Sequence, residues 1–176
     1  GLVGSEMCIR DSVEGNTVIS NVAEGEGLLQ SYVGSSSNIF ENNTLMSTGE
    51  IGAKFFAYCA VQANGNQFID NYLEGTCSRA YFGAETDWSN TIKDPAHRGL
   101  NQIDQNNDMA AFGMSNVSFT RNGVVPKSPN APVFVLTALR GNHLYDVSII
   151  NNNITRVTNI VRRIEAGATI KNVVQI

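Results

Sequence analysis

The sequence predicts an all-β fold, a right-handed parallel β-helix, and three observations support that prediction. Asparagine is over-used, with 21 among 176 residues, while only 16% of the residues are charged. A small residue followed by Asn recurs at steps of 22 to 28 residues. Short apolar stretches lie between these marks, each followed by another Asn. A fixed period of about 20 to 50 residues is typical of solenoids and propellers, and regular apolar stretches indicate order in an otherwise polar chain.

The first element of each period is the small residue with its Asn. These pairs are Gly15-Asn16, Ser37-Asn38, Gly65-Asn66, Ser89-Asn90, Ser115-Asn116 and Gly141-Asn142, with a final Gly167-Ala168 that lacks the Asn. An apolar stretch and a second Asn follow, as in "NIFENNTL", "NQFIDNYL" and "NVSFTRNGVV". We predict that this second Asn is a corner between two strands, because Asn enters the left-handed backbone region more readily than any residue except Gly. Equivalent asparagines of stacked coils would lie about 4.8 Å apart and bond in a ladder.

A third apolar segment completes each period, as in "FFAYCAVQ", "RAYFGAET", "DMAAFGM" and "VFVLTAL". Three strands and three turns in about 25 residues make one coil, so we expect six to seven coils. A left-handed β-helix would show a hexapeptide period, a leucine-rich repeat its Leu framework, and a propeller blade about 40 residues. A helical solenoid needs apolar spacing of three and four, which only "TNIVRRIEAG" allows.

The repeat length and the Asn corners of residues 13–176 resemble those of the pectate-lyase-like superfamily and of the β-helical tailspikes of bacteriophages. The resemblance implies a single β-helix domain in an extracellular, cell-surface or virion setting. It also implies a polysaccharide or cell-surface glycan as the ligand, and a homotrimer or neighbouring β-helix coils as the protein partner. Both ends lack the polar cap that a solenoid needs, so we expect a fragment of a longer helix.

Residues 1–12, "GLVGSEMCIRDS", differ from the rest of the chain. They resemble a translated sequencing-adapter artefact of a metagenomic gene prediction, and a genuine N-terminal strand is the alternative. If they are an artefact, Cys8 is not a feature of the protein. Cys59 and Cys77 match no zinc spacing. We expect both to be buried free thiols, with a disulfide as the alternative in an extracellular protein.

Candidate catalytic residues lie where the fourth coil departs from its pattern. In "RAYFGAETDW", strict alternation would put Arg79, Tyr81, Glu85 and Asp87 on the outward face. Glu85 and Asp87 would then be about 6.6 Å apart at the backbone. That separation suits the general acid and general base of an inverting glycosidase, whose carboxyl groups are about 6.5 to 9.5 Å apart. Trp88, Tyr81 and Arg79 would contact the sugar. The alternative is that outward carboxylates only keep a solenoid soluble.

An alternative hypothesis, a polysaccharide lyase, places the catalytic residues in the polar loop that follows, "KDPAHRGLNQIDQNND". Cleavage of an acidic polysaccharide needs a base, for which the candidates are Lys93, His97 and Arg98. It often also needs a hard cation such as Ca²⁺, for which the candidate ligands are Asp94, Asp104 and Asp108. The hydrolase reading requires no cofactor. The polygalacturonase motifs Asn-Thr-Asp, Asp-Asp and Gly-His-Gly are absent, and no pectate-lyase motif is present from which to carry residues over.

Charge is unevenly distributed along the chain. Residues 1–115 carry a net charge of −9 and residues 116–176 a net charge of +5, including Arg156, Arg162, Arg163 and Lys171. The basic part predicts a groove for an anionic polysaccharide, and a solvated face is the alternative. Nucleic acid is not an expected partner, because the overall charge is −4 and basic residues do not interleave with aromatic ones. No apolar run approaches the roughly 20 residues of a membrane span.

These observations leave two hypotheses. The first is a carbohydrate-binding β-helix of an extracellular or virion-surface protein, with or without hydrolase or lyase activity. The second is a non-catalytic structural or adhesive rod. The acidic strand and the loop of the fourth coil discriminate between them, since carboxylates that converge with Trp88 on a groove favour the first.

Overall fold

A computed structural model describes residues 2–3, 12–15, 17–20, 27–32, 36–47, 53–60, 63–86, 114–138, 143–155 and 160–176. The described residues form strands joined by turns. The strands, numbered along the chain, are β1 (Leu2–Val3), β2 (Ser12–Glu14), β3 (Thr17–Ser20), β4 (Gly27–Tyr32), β5 (Ile39–Glu41), β6 (Thr44–Ser47), β7 (Ala53–Ala60), β8 (Gln67–Ile69), β9 (Tyr72–Gly75), β10 (Cys77–Glu85), β11 (Met114–Thr120), β12 (Gly123–Pro126), β13 (Phe134–Ala138), β14 (His143–Ile150), β15 (Asn153–Ile154), β16 (Ile160–Ile164) and β17 (Thr169–Gln175). Among them, no helix is long and apolar enough to cross a bilayer.

Every third strand belongs to the same sheet, and all neighbouring strands are parallel. Sheet A contains β1, β4, β7, β10, β13 and β16; sheet B contains β2, β5, β8, β11, β14 and β17; sheet C contains β3, β6, β9, β12 and β15. The chain therefore passes from sheet B to sheet C to sheet A and returns to sheet B one strand further along. This is a parallel β-helix, as the repeat predicts.

The strands before and after residues 87–113 pair directly with each other. Phe68 of β8 is in register with Phe119 of β11, and Phe82 of β10 with Phe134 of β13. The coil predicted at Ser89-Asn90 lies outside the described residues. In the part of the chain that the structure describes, five complete sets of three strands run from β2 to β16, slightly fewer than the six to seven coils expected.

The core consists of side chains that repeat at the same position of each coil. In sheet B, the rings of Phe40, Phe68 and Phe119 stack at centroid distances of 4.8 and 5.3 Å. In sheet A, Phe82 stacks on Phe134 at 5.1 Å. These distances follow from the strand spacing of about 4.8 Å, which brings identical side chains into contact in every coil. All five rings are at most 1% exposed, so the columns contribute a continuous apolar core.

A ladder of asparagines lies at the corner between sheets B and C, as the sequence predicts. The side-chain amides of Asn43, Asn71 and Asn122 each donate to Oδ1 of the next asparagine, ending at Asn152, over 2.9 to 3.0 Å. Each Oδ1 also accepts the backbone N–H of the preceding ladder residue. Because the buried side-chain amides of Asn71 and Asn122 each donate two hydrogen bonds and accept two, the ladder satisfies polar groups that would otherwise be costly inside the helix.

The left-handed backbone conformation belongs to the residue before each ladder asparagine. Asn42, Asp70, Arg121 and Asn151 have φ of 55°, 52°, 55° and 52°. The ladder asparagines that follow them are not among the residues with positive φ. The prediction that the ladder Asn itself adopts this conformation was therefore wrong. Its amide is needed for the ladder, and the preceding exposed residue makes the bend.

A register shift in sheet A decides which residues of β10 face inward. Cys77 pairs with Ala53, but Ala80 pairs with Phe55, so β10 contains one extra residue between these pairs. Glu85 consequently pairs with Ala60, although alignment of the repeat marks would place it opposite Val61. A shift of one residue moves every following side chain to the other face, which strict alternation could not reveal.

Candidate functional site

Glu85 lies at the end of β10 as part of an ion pair rather than a free carboxylate. Phe82 and Ala84 belong to the core, so alternation puts Glu85 on the opposite face of β10, where it is buried rather than facing solvent as predicted. One carboxylate oxygen contacts Nη2 of Arg79. The other accepts a hydrogen bond from the Tyr58 hydroxyl, with 3.0 Å between the two oxygen atoms. The Glu85 side chain is 4% exposed. A buried charge requires such partners, and both carboxylate oxygens of Glu85 have one.

Two aromatic rings support this ion pair from the preceding coil. Phe55 and Tyr58 stack at 4.4 Å, and the Arg79 guanidinium lies 5.2 Å from the centre of the Phe55 ring. The rings pack against the backbone at Gly83, where an added Cβ would lie 2.5 Å from a Phe55 ring carbon and 2.9 Å from a Tyr58 ring carbon. Only a glycine at this position allows Tyr58 to reach Glu85.

Tyr81 does not share the outward face, in contrast to the expectation from alternation. The register shift puts Tyr81 and Phe82 in the core consecutively, and Tyr81 is fully buried. Its hydroxyl donates to the carbonyl of Gly75 at 2.6 Å and accepts from the backbone N–H groups of Lys127 and Ser128. Burial raises the pKa of this hydroxyl. Tyr81 therefore anchors the connection from β12 to β13 and presents no ring to a sugar.

An open cavity of about 410 Å³ lies beside Arg79. Arg163 of β16 approaches the same cavity, although it is far from Arg79 in the sequence. The remaining walls come from the start of β10 and from the connection between β12 and β13. These lining residues are Cys77, Ser78, Ser128, Pro129, Asn130, Ala131 and Pro132. Ser128 holds the connection in place, because its hydroxyl donates to the carbonyl of Cys77 and accepts the Cys77 N–H, both at 2.8 Å.

Both described cysteines are free and buried, as expected. Cys59 lies on β7, where its thiol contacts the carbonyl of Gly83 at 3.6 Å. Burial, together with the nearby Glu85 carboxylate, raises the pKa of the Cys59 thiol far above its ordinary value. A thiol in this state is not a nucleophile, so Cys59 has a packing role.

Most of the predicted catalytic and metal-binding residues lie outside the described residues. They are Asp87, Trp88, Lys93, Asp94, His97, Arg98, Asp104 and Asp108. In the described ranges, no three His, Cys, Asp or Glu side chains cluster as a metal site would require. The carboxylate pair and the calcium site therefore stay predictions.

The sequence indicated Arg79 as a sugar contact and Arg163 as part of a basic surface, but it did not predict that both line one cavity. It also missed Tyr58, which is the hydroxyl partner of Glu85. The signal for Tyr58 was its spacing of about one repeat period from Glu85, which places both side chains on the same face of neighbouring strands. The register shift hid that relation, because one extra residue reverses the faces.

Compared with known proteins, the chain matches no protein-family model, no curated protein and no solved structure. The structure therefore shows a parallel β-helix, and the function of the chain has to be inferred from its own side chains.

Proposed function

We propose that the protein binds a polysaccharide or cell-surface glycan along the flank of its β-helix. The observation that carries this proposal is the cavity between Arg79 and Arg163. Its volume of about 410 Å³ lies within the range of about 300 to 1,000 Å³ that is usual for small-ligand sites. A cavity of this size accommodates one or two sugar rings of a longer chain, which would continue along the strands on either side.

The charge of the cavity favours an anionic sugar. Arg163 is exposed, and no described side chain forms an ion pair with it. Arg79 contacts Glu85 through Nη2, which leaves other guanidinium donors, since the group carries five N–H bonds. A planar guanidinium matches a carboxylate or a sulfate through two parallel hydrogen bonds. Asn130 adds a neutral polar group suited to sugar hydroxyls.

The proposed location of the protein follows from the proposed glycan ligand. A glycan of this kind is met outside the cell, so the proposal includes an extracellular, cell-surface or virion location, as in the pectate-lyase-like proteins and tailspikes that the fold resembles. Assembly as a homotrimer, or stacking with further β-helix coils, belongs to the same proposal. Cleavage of the bound glycan, by hydrolysis or by elimination with Ca²⁺, would need the residues of the loop 93–108 or Asp87.

A stiff, non-catalytic rod is the second candidate function. Two observations favour it: both Glu85 carboxylate oxygens are engaged, and the Asn ladder continues through four coils. A rod needs only this continuous pairing and no ligand. It predicts that no polysaccharide binds to the cavity.

The experiment that tests the proposal is affinity electrophoresis of the purified chain in gels containing neutral or acidic polysaccharides. Reducing ends and the ultraviolet absorbance of unsaturated sugars are followed in parallel. The informative variant is Arg163→Ala, and the matched control is Arg162→Ala, which removes the same charge from the adjacent exposed position of β16. We expect an acidic polysaccharide to retard the protein and Arg163→Ala to weaken that retardation far more than Arg162→Ala.

The possible outcomes distinguish specific binding at the cavity from the alternatives. Equal loss in both variants would mean nonspecific attraction by the basic end of the chain, and would overturn the cavity proposal. No retardation by any polymer would favour the rod. Reducing ends without absorbance would indicate hydrolysis and direct attention to Glu85 and Asp87. Reducing ends with absorbance would indicate elimination and direct attention to the loop 93–108.

A further inference from the structure

A second cavity lies on the solvent side of sheet B, away from the cavity beside Arg79. Its volume is about 210 Å³, and no lining residue is shared between the two. The lining residues are His143 and Tyr145 of β14 and Thr169, Lys171 and Asn172 of β17. Tyr145 is 37% exposed, which is unusual for a large aromatic residue in this chain, whose other described rings are mostly buried.

A column of left-handed residues shapes this cavity. Asn116, Asp146 and Asn172 occupy equivalent positions in β11, β14 and β17, with φ of 57°, 56° and 51°. The bend turns two consecutive side chains of β14, Tyr145 and Asp146, toward solvent, while the residues on either side of them are buried. The residues before the ladder asparagines have the same conformation, so it is a regular bend of this β-helix. The bend thus leaves Tyr145 exposed on the solvent side of the sheet.

The polar groups around Tyr145 are fixed by contacts with each other. Nδ1 of His143 lies 2.7 Å from the hydroxyl oxygen of Thr169, which orients the imidazole ring. Nδ2 of Asn172 donates to Oδ1 of Asp146 at 3.0 Å, and the amide has a second N–H. Lys171 is in register with Tyr145 on the neighbouring strand and brings a positive charge with three donors. An aromatic ring is thus flanked by an ammonium, an amide and an imidazole.

We infer that this cavity binds a single pyranose ring. The apolar C–H face of the sugar would pack on Tyr145, whose π face is negative, and its oxygen atoms would accept hydrogen bonds from Lys171 and Asn172. The volume decides the ligand size, since about 210 Å³ is below the range of about 300 to 1,000 Å³ of sites for drug-sized ligands. A cationic ligand is disfavoured because Lys171 lies beside Tyr145 in the cavity. The cavity therefore adds a subsite on sheet B that is independent of Arg163.

Titration of the ¹⁵N-labelled chain with two methyl glycosides tests the inference. One is methyl β-D-glucopyranoside, which is neutral, and the other is the corresponding glucuronide, which carries a carboxylate. We expect chemical-shift changes at the amides of Tyr145, Lys171 and Asn172. Tyr145→Ala should weaken binding by roughly tenfold or more, because it removes the stacking surface. The matched control is Tyr72→Ala, which removes a tyrosine of similar exposure, 40%, from β9.

Two results would overturn the inference: neither glycoside shifts the three amides, or Tyr145→Ala binds as tightly as the unmodified chain. If the glucuronide alone binds, and Lys171→Ala abolishes that binding, the ligand is an acidic pyranose. Equal binding of both glycosides would show that the pyranose ring, and not the carboxylate, determines recognition. Arg163→Ala should leave all of these shifts unchanged. Failure here and failure of the polysaccharide proposal are therefore distinguishable.

Discussion

At the scale of single residues, the buried ion pair of Arg79 with Glu85 connects stability to the candidate site. The Glu85 carboxylate is 4% exposed and depends on Arg79 and Tyr58 for its solvation. Arg79 is 32% exposed and also lines the cavity proposed for glycan binding. One guanidinium thus compensates a buried charge on one side and faces a ligand site on the other. We therefore expect substitution of Arg79 to lower the stability of the fold as well as the affinity for a ligand.

We expect Arg79→Met to destabilise the fold by about 3 kcal/mol, at the low end for a broken buried pair because Arg79 is partly exposed. The cause is the uncompensated Glu85 carboxylate. Urea denaturation measures the change. The double variant Arg79→Met with Glu85→Gln removes that charge and should recover most of the loss. If the double variant is as unstable as the single one, packing of Arg79 on Phe55 is the larger effect.

Glycine at position 75 is required by a close backbone approach. Its φ is +129°, and a Cβ there would lie 2.0 Å from the carbonyl oxygen of Ser47. We expect Gly75→Ala to lower the free energy of unfolding by about 3 kcal/mol or more, because neither backbone can move without breaking the pairing of β6 with β9. Gly15→Ala is the control. Its φ is +67° with nothing within 4 Å, so it should cost only about 1 kcal/mol.

The exposed pair of Asp70 and Arg121 gives the fold an acid sensitivity. Two hydrogen bonds of 2.8 and 2.6 Å from Arg121 lower the pKa of Asp70. The stabilisation is therefore fully present above the ordinary Asp pKa of about 3.9, and it is lost as the pH falls through the lower folded value. Asp70→Asn should show a shallower loss of stability in thermal scans from about pH 5 downward. Identical pH profiles of the two proteins would contradict this.

At the scale of elements, the Asn ladder holds the corner between sheets B and C. Asn71 accepts two hydrogen bonds from Asn43 and donates to both Asn122 and the carbonyl of Phe40. Because these groups are buried, a missing amide leaves donors and acceptors of three coils without partners. The ladder is thus an element of tertiary structure made from single residues.

Asn71→Ala should therefore destabilise the protein by about 3 kcal/mol, measured by chemical denaturation. The control is Asn153→Ala in β15, which changes an exposed asparagine adjacent to the ladder residue Asn152. We expect that control to lie within about 0.5 kcal/mol of the unmodified chain. Comparable losses in both variants would mean that the ladder hydrogen bonds are not the source of the stability.

At the scale of the whole molecule, residues 87–113 separate two parts of the β-helix that pair directly. Strands β8 and β11 are neighbours, as are β9 with β12 and β10 with β13. Elsewhere the connection from sheet A to sheet B is short, as between β13, which ends at Ala138, and β14, which begins at His143. The pairing of the sheets therefore does not depend on an additional coil at this point.

Replacement of residues 87–113 by the connection "LRGN" of residues 139–142 should leave the β-sheet circular dichroism and a single cooperative unfolding transition. Retention of polysaccharide binding, with loss of any cleavage, would show that binding does not require the replaced residues and that catalysis does. A chain that no longer unfolds cooperatively would contradict the expectation that the two parts of the helix pair without this segment. The control is the unmodified chain at the same concentration.

The sequence by itself determined the repeat, the parallel β-helix, the Asn ladder and the buried thiols. Each of these follows from residue types that recur at a fixed spacing along the sequence. Only the tertiary structure decided that Tyr81 is buried, that Tyr58 meets Glu85, and that Arg79 and Arg163 border one cavity. These outcomes depend on one extra residue in β10 and on direct pairing across residues 87–113. Register between coils is a non-local property, and a shift of a single residue reverses which side chains face solvent.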